Sequence, residues 1–164
     1  MIKVAILGYG NIGKAAEQSI LNAPDMELAG IYHHNDSLDD MQADVALVCT
    51  PTREVEVFAK RLIEKGICTV DSYDIHGDIW EVSQKLDAVA KANNSAAIIS
   101  AGWDPGSDSV IRTLLKAMAP KGLTYTNFGP GMSMGHSVVA RSKEGVKNAL
   151  SMTIPLGTSV HRRM

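Results

Sequence analysis

IKVAILGYGNIGKAAEQSILNA, spanning Ile2 to Ala23, reads as a buried strand, a tight glycine turn and an amphipathic helix. Ile2, Val4, Ile6 and Leu7 form a short apolar run rich in β-branched residues, as a parallel strand covered on both faces requires. Gly8-Tyr9-Gly10-Asn11-Ile12-Gly13 follows at once. Ile12, Ala16, Ser19, Ile20 and Ala23 then recur at helical spacing, with Lys14, Glu17 and Gln18 on the other side. The three glycines have separable jobs. Gly8 permits the sharp turn, Gly10 leaves room for a pyrophosphate to approach the backbone, and Gly13 lets the helix lie close to the strand. The helix start then offers free N–H groups and a partial positive charge to the phosphates. A GxGxxG that follows a strand and opens a helix is strong evidence for dinucleotide binding; an ordinary strand–helix turn with small residues is the alternative.

Outward from this stretch, strands and helices alternate. Met26 to Tyr32 reads as a second strand and Asp44 to Cys49 as a third. Ser37 to Met41 reads as a short helical turn between them. After Thr50-Pro51-Thr52 comes a helix with Val55, Phe58, Ala59, Leu62 and Ile63 on one face, started by Pro51 and ended by Gly66. Ile67 to Asp71 is a fourth strand. Ile79, Val82, Leu86 and Val89 mark a helix ending near Asn93-Asn94, and Ala96 to Ser100 is a fifth strand. The expected fold class is therefore α/β, a Rossmann-type doubly wound parallel sheet over residues 1–101.

Length and charge set the outer limits. With 164 residues the chain holds one domain with a real core and the start of another. Sixteen basic against eighteen acidic residues leave a net charge of −2, so no global field attracts nucleic acid or anionic lipid. Lys3 interrupts the first apolar run, which is too short for a secretory signal, and no run reaches membrane-spanning length. Cys49 and Cys68 lie at ends of the expected buried strands, lack metal-ligand spacing and read as small hydrophobes. A reducing, cytoplasmic setting with no metal is expected.

The pattern changes at Gly102-Trp103-Asp104-Pro105-Gly106. A helix follows, with Val110, Ile111, Leu114, Leu115 and Met118 on its expected buried face, ended by Pro120 to Gly122. Leu123 to Phe128 alternates like a strand, and Gly129 to His136 is a glycine-rich loop. Ser142 is placed to cap a helix carrying Val146, Ala149 and Leu150, and Ser151 to His161 reads as a strand. The chain stops at Arg162-Arg163-Met164 without a visible capping element. Residues 102–164 are thus expected to open a second, α+β domain whose remainder is missing.

Ligands of a doubly wound sheet bind outside the carboxyl ends of the strands. That rule selects Gly8 to Gly13, Tyr32 to Asn35, Cys49 to Thr52, Asp71 to Asp74 and Ser100 to Asp104. At the second strand's tip stands Tyr32-His33-His34-Asn35 rather than an acid, with Asp36 a little late. Histidines donate hydrogen bonds and carry charge when protonated, which leans towards NADP over NAD. A polar surface loop is the alternative. Asp74 and Asp104 both fall at the cleft, where two carboxylates could bind an ammonium group or assist proton transfer. Helix capping is the alternative for each. Trp103 could wall a pocket or be a half-buried core aromatic. Trp80 reads as packing, His76 as a surface residue, and His136 receives no catalytic role.

Gly8 to Gly13, Asp71-Ser72-Tyr73-Asp74-Ile75-His76, Gly102 to Gly106 and Phe128-Gly129-Pro130-Gly131 with Gly135-His136 together resemble meso-diaminopimelate dehydrogenase. The glycine turn is generic, but the DSYD, GWDPG and FGPGMSMGH segments in that order are specific. The resemblance implies NADP-dependent, reversible oxidative deamination of meso-2,6-diaminopimelate at its D-centre, giving L-2-amino-6-oxopimelate and ammonia in bacterial lysine synthesis. It implies that Tyr9, Gly10, Asn11 and Ile12, His33, His34 and Asn35, Cys49, Thr50, Pro51 and Thr52, Ser72, Tyr73 and Asp74, and Ser100, Ala101, Gly102, Trp103 and Asp104 line the cofactor. It implies substrate contacts from Asp74, Trp103, Asp104, Phe128, Met134, Gly135 and Thr153. Asp74 and Asp104 would hold the ammonium, and Asp104 would act as base for the attacking water.

Three departures bear on this. Some relatives have arginines where His34 and Asn35 stand, leaving NAD open as cofactor, and some have tryptophan and glutamine where Phe128 and Met134 stand. Family chains are also longer; the part absent here supplies substrate-carboxylate ligands and much of a homodimer interface. The chain therefore resembles the N-terminal half of the family. The alternatives are a catalytically inactive NAD(P)-binding remnant, or another Rossmann oxidoreductase acting on a sugar or aldehyde. Against the last, the Glu-Lys-Pro of sugar oxidoreductases is missing after the third strand.

Overall fold

The chain was analysed as a computed structural model that describes residues 1–122, 135–151, 153–157 and 160–163; for 135, 136, 138 and the last two stretches only the backbone is described. It divides into two compact units, Met1–Val110 and Ile111–Met164.

The first unit is a five-stranded parallel sheet. Strands β1 (Ile2–Leu7), β2 (Met26–Tyr32), β3 (Val45–Val48), β4 (Cys68–Asp71) and β5 (Ala97–Ile98) lie in the order β2-β1-β3-β4-β5. Helices α1 (Asn11–Asn22), α2 (Thr52–Glu64) and α3 (Ile79–Ala92) connect them. Alternation along β1 divides the core. Val4 and Ile6 pack with Ile20 of α1 on one face, while Ala5 and Leu7 join Val55, Leu62, Val82 and Leu86 of α2 and α3 on the other. The strand order reverses at β1, between β2 and β3, and a doubly wound sheet opens its ligand crevice at that point. The expected fold class is found.

Helix α2 illustrates why these residues fold this way. Val55, Ala59, Leu62 and Ile63 repeat at helical spacing and are all buried. Glu54 lies in its first turn and Arg61 in its last, each complementing the helix dipole. Gly66 ends it at φ +78, its N–H donating to the Ile63 carbonyl at 2.8 Å.

Several expectations change. In α1 the buried stripe is Gly13, Ala16 and Ile20, whereas Ile12 and Ser19 are exposed. Gly13 faces β1, and the neighbouring Ile12, about 100° away around the helix, points elsewhere. Ser37 to Met41 is not helical; one hydrogen bond from Met41 N–H to the Leu38 carbonyl makes a turn that buries both side chains. Helix α4 (Ser107–Met118) forms as expected, but Val110, Ile111, Leu114, Leu115 and Met118 are 44–81% exposed. Its amphipathic pattern suits burial, yet among the described residues nothing covers that face.

The second unit contains α5 (Gly135–Arg141) and an antiparallel pair, β6 (Thr153–Gly157) with β7 (Val160–Arg163). Ser151 to His161 is therefore not a single strand: two strands pair with Thr153 opposite Arg163 and Gly157 opposite Val160. The helix lies before Ser142, not after it. Ser142 Oγ donates to the Val139 carbonyl, and the following segment turns through Gly145 at φ +81. Gly135 and His136 begin α5 instead of closing a loop. The strand expected at Leu123 to Phe128 lies outside the described residues, as do Gly129 to Met134.

Candidate functional site

Three strand ends meet at Gly8. Its N–H donates to the Tyr32 carbonyl at 2.8 Å, and Cys49 N–H donates to the Leu7 carbonyl at 2.7 Å. Gly8 has φ +97, and a Cβ there would lie 2.7 Å from the Cys49 carbonyl oxygen. Only glycine fits that turn. A Cβ on Gly13 would come within 2.2 Å of the Gly8 carbonyl oxygen, so α1 crosses β1 at backbone contact. A Cβ on Gly10 would meet nothing within 4 Å, so the space above the loop is open. Gly10 caps α1 without a side-chain hydrogen bond, and the first turn carries no acid. Unengaged helix N–H groups facing open space, without a competing carboxylate, suit a diphosphate.

The first loop also reaches the tip of β2. The Tyr9 and His33 rings meet edge to face at 6.4 Å between centroids, and Lys14 Nζ lies 5.9 Å from the Tyr9 ring centre. Tyr9 donates its hydroxyl proton to the Glu17 carboxylate, and that bond raises the pKa of the phenol. His33 N–H donates to the Asp36 carboxylate at 2.7 Å. Asp36 therefore closes the turn at this tip. His33, His34 and Asn35 are all exposed. Sequence reading placed Lys14 and Glu17 on a solvated face and missed their contact with Tyr9. Their spacing, five and eight residues after Tyr9 across a loop–helix junction, follows no helical rule that would have revealed it.

At the end of β3, Thr50 Oγ1 is buried without a hydrogen-bond partner. An orphaned hydroxyl beside the Gly8 turn is a polar group that a ligand could satisfy. Thr52 Oγ1 accepts the Asp74 N–H at 3.0 Å and joins this loop to the next. Burial pushes the Cys49 thiol up to about 11. At pH 8 only about one molecule in a thousand then carries the thiolate. Iodoacetamide should label Cys49 at least about tenfold more slowly in the native chain than in urea. Equal rates, read by mass spectrometry of the Cys49 peptide, would refute its burial.

At the ends of β4 and β5 the structure departs from the expected cleft lining. Asp71 is buried: its Oδ1 accepts the N–H groups of Tyr73 at 2.9 Å and Ser100 at 3.2 Å. Tyr73 belongs to the core under α2 and α3. Ser100 stands at φ +57, and its hydroxyl donates to the Tyr73 carbonyl at 2.9 Å. Asp74, Trp103 and Asp104 are exposed, and Ser109 Oγ donates to Asp104 Oδ1 at 3.4 Å. Asp74 does not cap α3, which begins at Ile79 after Asp78. The five segments thus form a continuous row: Gly8 to Tyr32 and Cys49, Thr52 to Asp74, Asp71 to Ser100. Ser72, Ala101, Gly102 and Pro51 lie within it. Phe128 and Met134 lie outside the described residues; Gly135 and Thr153 have only their backbones described, in α5 and β6.

Burial of Asp71 raises its carboxyl pKa, while the two amides pull it down; burial wins. The native chain holds that proton more tightly than the unfolded chain, whose value is about 3.9. Asp71 thus stabilises most below that pH, and the contribution is lost as pH rises through the raised native value. The stability of the wild type minus that of Asp71→Asn should fall as pH rises above the unfolded value in urea titrations. A flat difference would contradict the burial.

Among the described residues, no helix is long and apolar enough to cross a membrane and no group of three or more His, Cys, Asp or Glu is arranged to hold a metal. A hollow along α3 and β5 is lined by Gln84, Asp87, Lys91 and Ser95.

Comparison with known proteins gives concordant results. Residues 102–163 match the diaminopimelic acid dehydrogenase C-terminal domain. A meso-diaminopimelate D-dehydrogenase of Bacteroides fragilis is 52% identical over 99% of this chain, which spans 60% of that protein. The Corynebacterium glutamicum DAP dehydrogenase solved in complex with DAP superposes with a TM-score of 0.77 at 32% identity, covering 99% of this chain and 60% of that one. An engineered D-amino acid dehydrogenase bound to NADP+ gives 0.73 at 34% identity, covering 94% and 53%. The chain therefore spans little more than half the length of the relatives it matches.

Proposed function

We propose that this chain, which resembles meso-diaminopimelate D-dehydrogenase along nearly its whole length, is the cofactor-binding part of such an enzyme, with 102–164 opening the substrate domain. The reaction is the NADP-dependent, reversible oxidative deamination of meso-2,6-diaminopimelate to L-2-amino-6-oxopimelate and ammonia. By the same resemblance the setting is lysine synthesis in the cytoplasm, and the complete family chain is a homodimer.

The observation that carries the reading is the row of loops along one sheet edge, from the Gly8 turn to Asp104. The amides of Asn11, Ile12 and Gly13 receive the diphosphate. Thr50 Oγ1 gains a partner there. Asp36 spends one carboxylate oxygen on its own turn. His33, His34 and Lys14 then favour a 2′-phosphate, hence NADP rather than NAD. A nicotinamide bound against these loops would supply the hydride acceptor.

Asp74 and Asp104 are exposed carboxylates on the loops after adjacent strands. Their charge attracts the substrate ammonium and holds the reacting carbon towards the cofactor. Loss of a proton from that ammonium frees the nitrogen lone pair that expels the hydride. Asp104 then removes a proton from the water that attacks the resulting carbon–nitrogen double bond. Trp103, 47% exposed beside Asp104, screens the site from solvent.

Mixing the purified chain with NADP and meso-diaminopimelate and following NADPH absorbance tests the proposal. Reduction supports an enzyme. Binding of NADP without reduction supports the second reading, a binding module; the chain's coverage of only 60% of its relative favours it. Failure to bind NADP would refute both.

A further inference from the structure

The loops that carry Asp74 and Asp104 are tied together by a side chain with no part in the chemistry proposed for those two acids. Asp71 ends β4 and is 3% exposed. One of its oxygens, Oδ1, accepts from both Tyr73 N–H and Ser100 N–H; the other, Oδ2, is buried with no hydrogen-bond partner. Its backbone carbonyl accepts Ala101 N–H at 2.7 Å. Ser100 completes the tie from the other side, its hydroxyl donating to the Tyr73 carbonyl. The two loops approach so closely that a Cβ on Gly102 would lie 3.1 Å from Ser72 Cβ.

This arrangement is costly for packing alone. A buried carboxyl with an idle oxygen is harder to accommodate than an apolar residue of similar size. Ser100 is moreover a non-glycine residue in left-handed backbone, a conformation that persists only where the surroundings over-determine it. What the Asp71 side chain supplies is one acceptor oxygen shared by two amides from different loops. Asp74 lies one residue beyond the first amide and Asp104 four residues beyond the second.

We propose that Asp71 is a positioning residue. By clasping the amides of Tyr73 and Ser100 it sets the spacing of the Asp74 and Asp104 segments that receive the nicotinamide end of the cofactor. The inference rests on the cofactor reading proposed for this chain, and its test separates the two.

The purified 164-residue chain and its Asp71→Asn, Asp71→Ala and Ser100→Ala variants are titrated with NADP and with 2′-phospho-ADP-ribose, which lacks nicotinamide. Amide exchange at Tyr73 and Ser100 is followed in parallel. The fragment should bind all four equally. Affinity for NADP relative to the fragment should fall about tenfold in Asp71→Ala and about threefold in Ser100→Ala. Asp71→Asn keeps an acceptor oxygen and should stay within about twofold. Exchange at both amides should quicken about tenfold in Asp71→Ala.

An unchanged ratio or unchanged exchange in Asp71→Ala would overturn the proposal, as would an asparagine variant as impaired as the alanine one. Should Asp71→Ala fail to fold, an unchanged ratio in Ser100→Ala overturns it instead. If the wild type binds neither ligand, the cofactor reading fails, and exchange at the two amides alone decides whether the clasp exists.

Discussion

Gly13→Ala should destabilise the chain by about 3 kcal/mol, whereas Gly10→Ala, three residues earlier, should cost under about 1 kcal/mol. The methyl group added at Gly13 would lie 2.2 Å from the Gly8 carbonyl oxygen and 3.4 Å from Ile6 Cγ2. The first neighbour is backbone, so no rotamer change relieves the clash. Helix α1 must lift off β1, or the Gly8 turn must deform, and either motion displaces the whole loop. At Gly10 the same methyl meets open space and loses only a modest capping preference. The order should reverse for ligand binding among folded molecules. Gly10→Ala should weaken NADP by about tenfold or more, because the methyl fills the space where a diphosphate would approach. Urea midpoints and NADP titrations of the two variants check this, and equal destabilisation would sink the assigned division of labour.

The second large effect concerns the exposed carboxylate beside Trp103. In a full-length relative, alanine at the position aligned with Asp104 should lower turnover about a hundredfold, the scale of one well-placed acid–base group. NADP affinity should change by less than about threefold, since the loops proposed for the diphosphate and adenosine ends are others. Turnover and dissociation constants measured side by side decide it. Unchanged turnover would remove Asp104 from the chemistry. A parallel loss of cofactor affinity would make it part of the binding surface. In this chain Asp104 already accepts a hydrogen bond from Ser109, so Ser109→Ala is a useful control for mere loop disturbance.

Most of the parallel sheet was legible because its signals are local. An apolar β-branched run, a glycine turn and a helical repeat each fit within one window, and Gly8, Pro51 and Gly66 mark boundaries by backbone preference alone. What escaped the sequence was whatever depends on a partner distant along the chain. Ile12 and Gly13 differ in burial because of where β1 lies, which periodicity alone does not determine. The apolar face of α4 follows the rule for burial and is nonetheless exposed. Val146, Ala149 and Leu150 imitate a helical stripe, but Gly145 between Ser142 and that stripe has a positive φ that a helix capped at Ser142 could not contain.

The site divides along the same line. That the strand ends are where a ligand is expected followed from topology, and the diaminopimelate dehydrogenase resemblance followed from three segments in order. The internal ties did not. Asp71 looks in sequence like one more cleft acid, equivalent to Asp74, and only tertiary structure separates them. One is sealed beneath the loops and the other faces solvent. The Tyr9–His33 contact joins residues on different strand ends and has no sequence period to announce it.

The central place of β1 carries a consequence for how the molecule is made. Its neighbours on either side are β2, ending at Tyr32, and β3, starting at Val45. Strand β1 therefore cannot complete its ladder until β3 at Val45–Val48 has been synthesised. Until then its unsatisfied amides and carbonyls are exposed to any stray extended segment. Trimming even a few leading residues would remove rungs from the middle of the sheet, so affinity tags belong ahead of Met1, which is 79% exposed, and should never replace Ile2 or its strand neighbours.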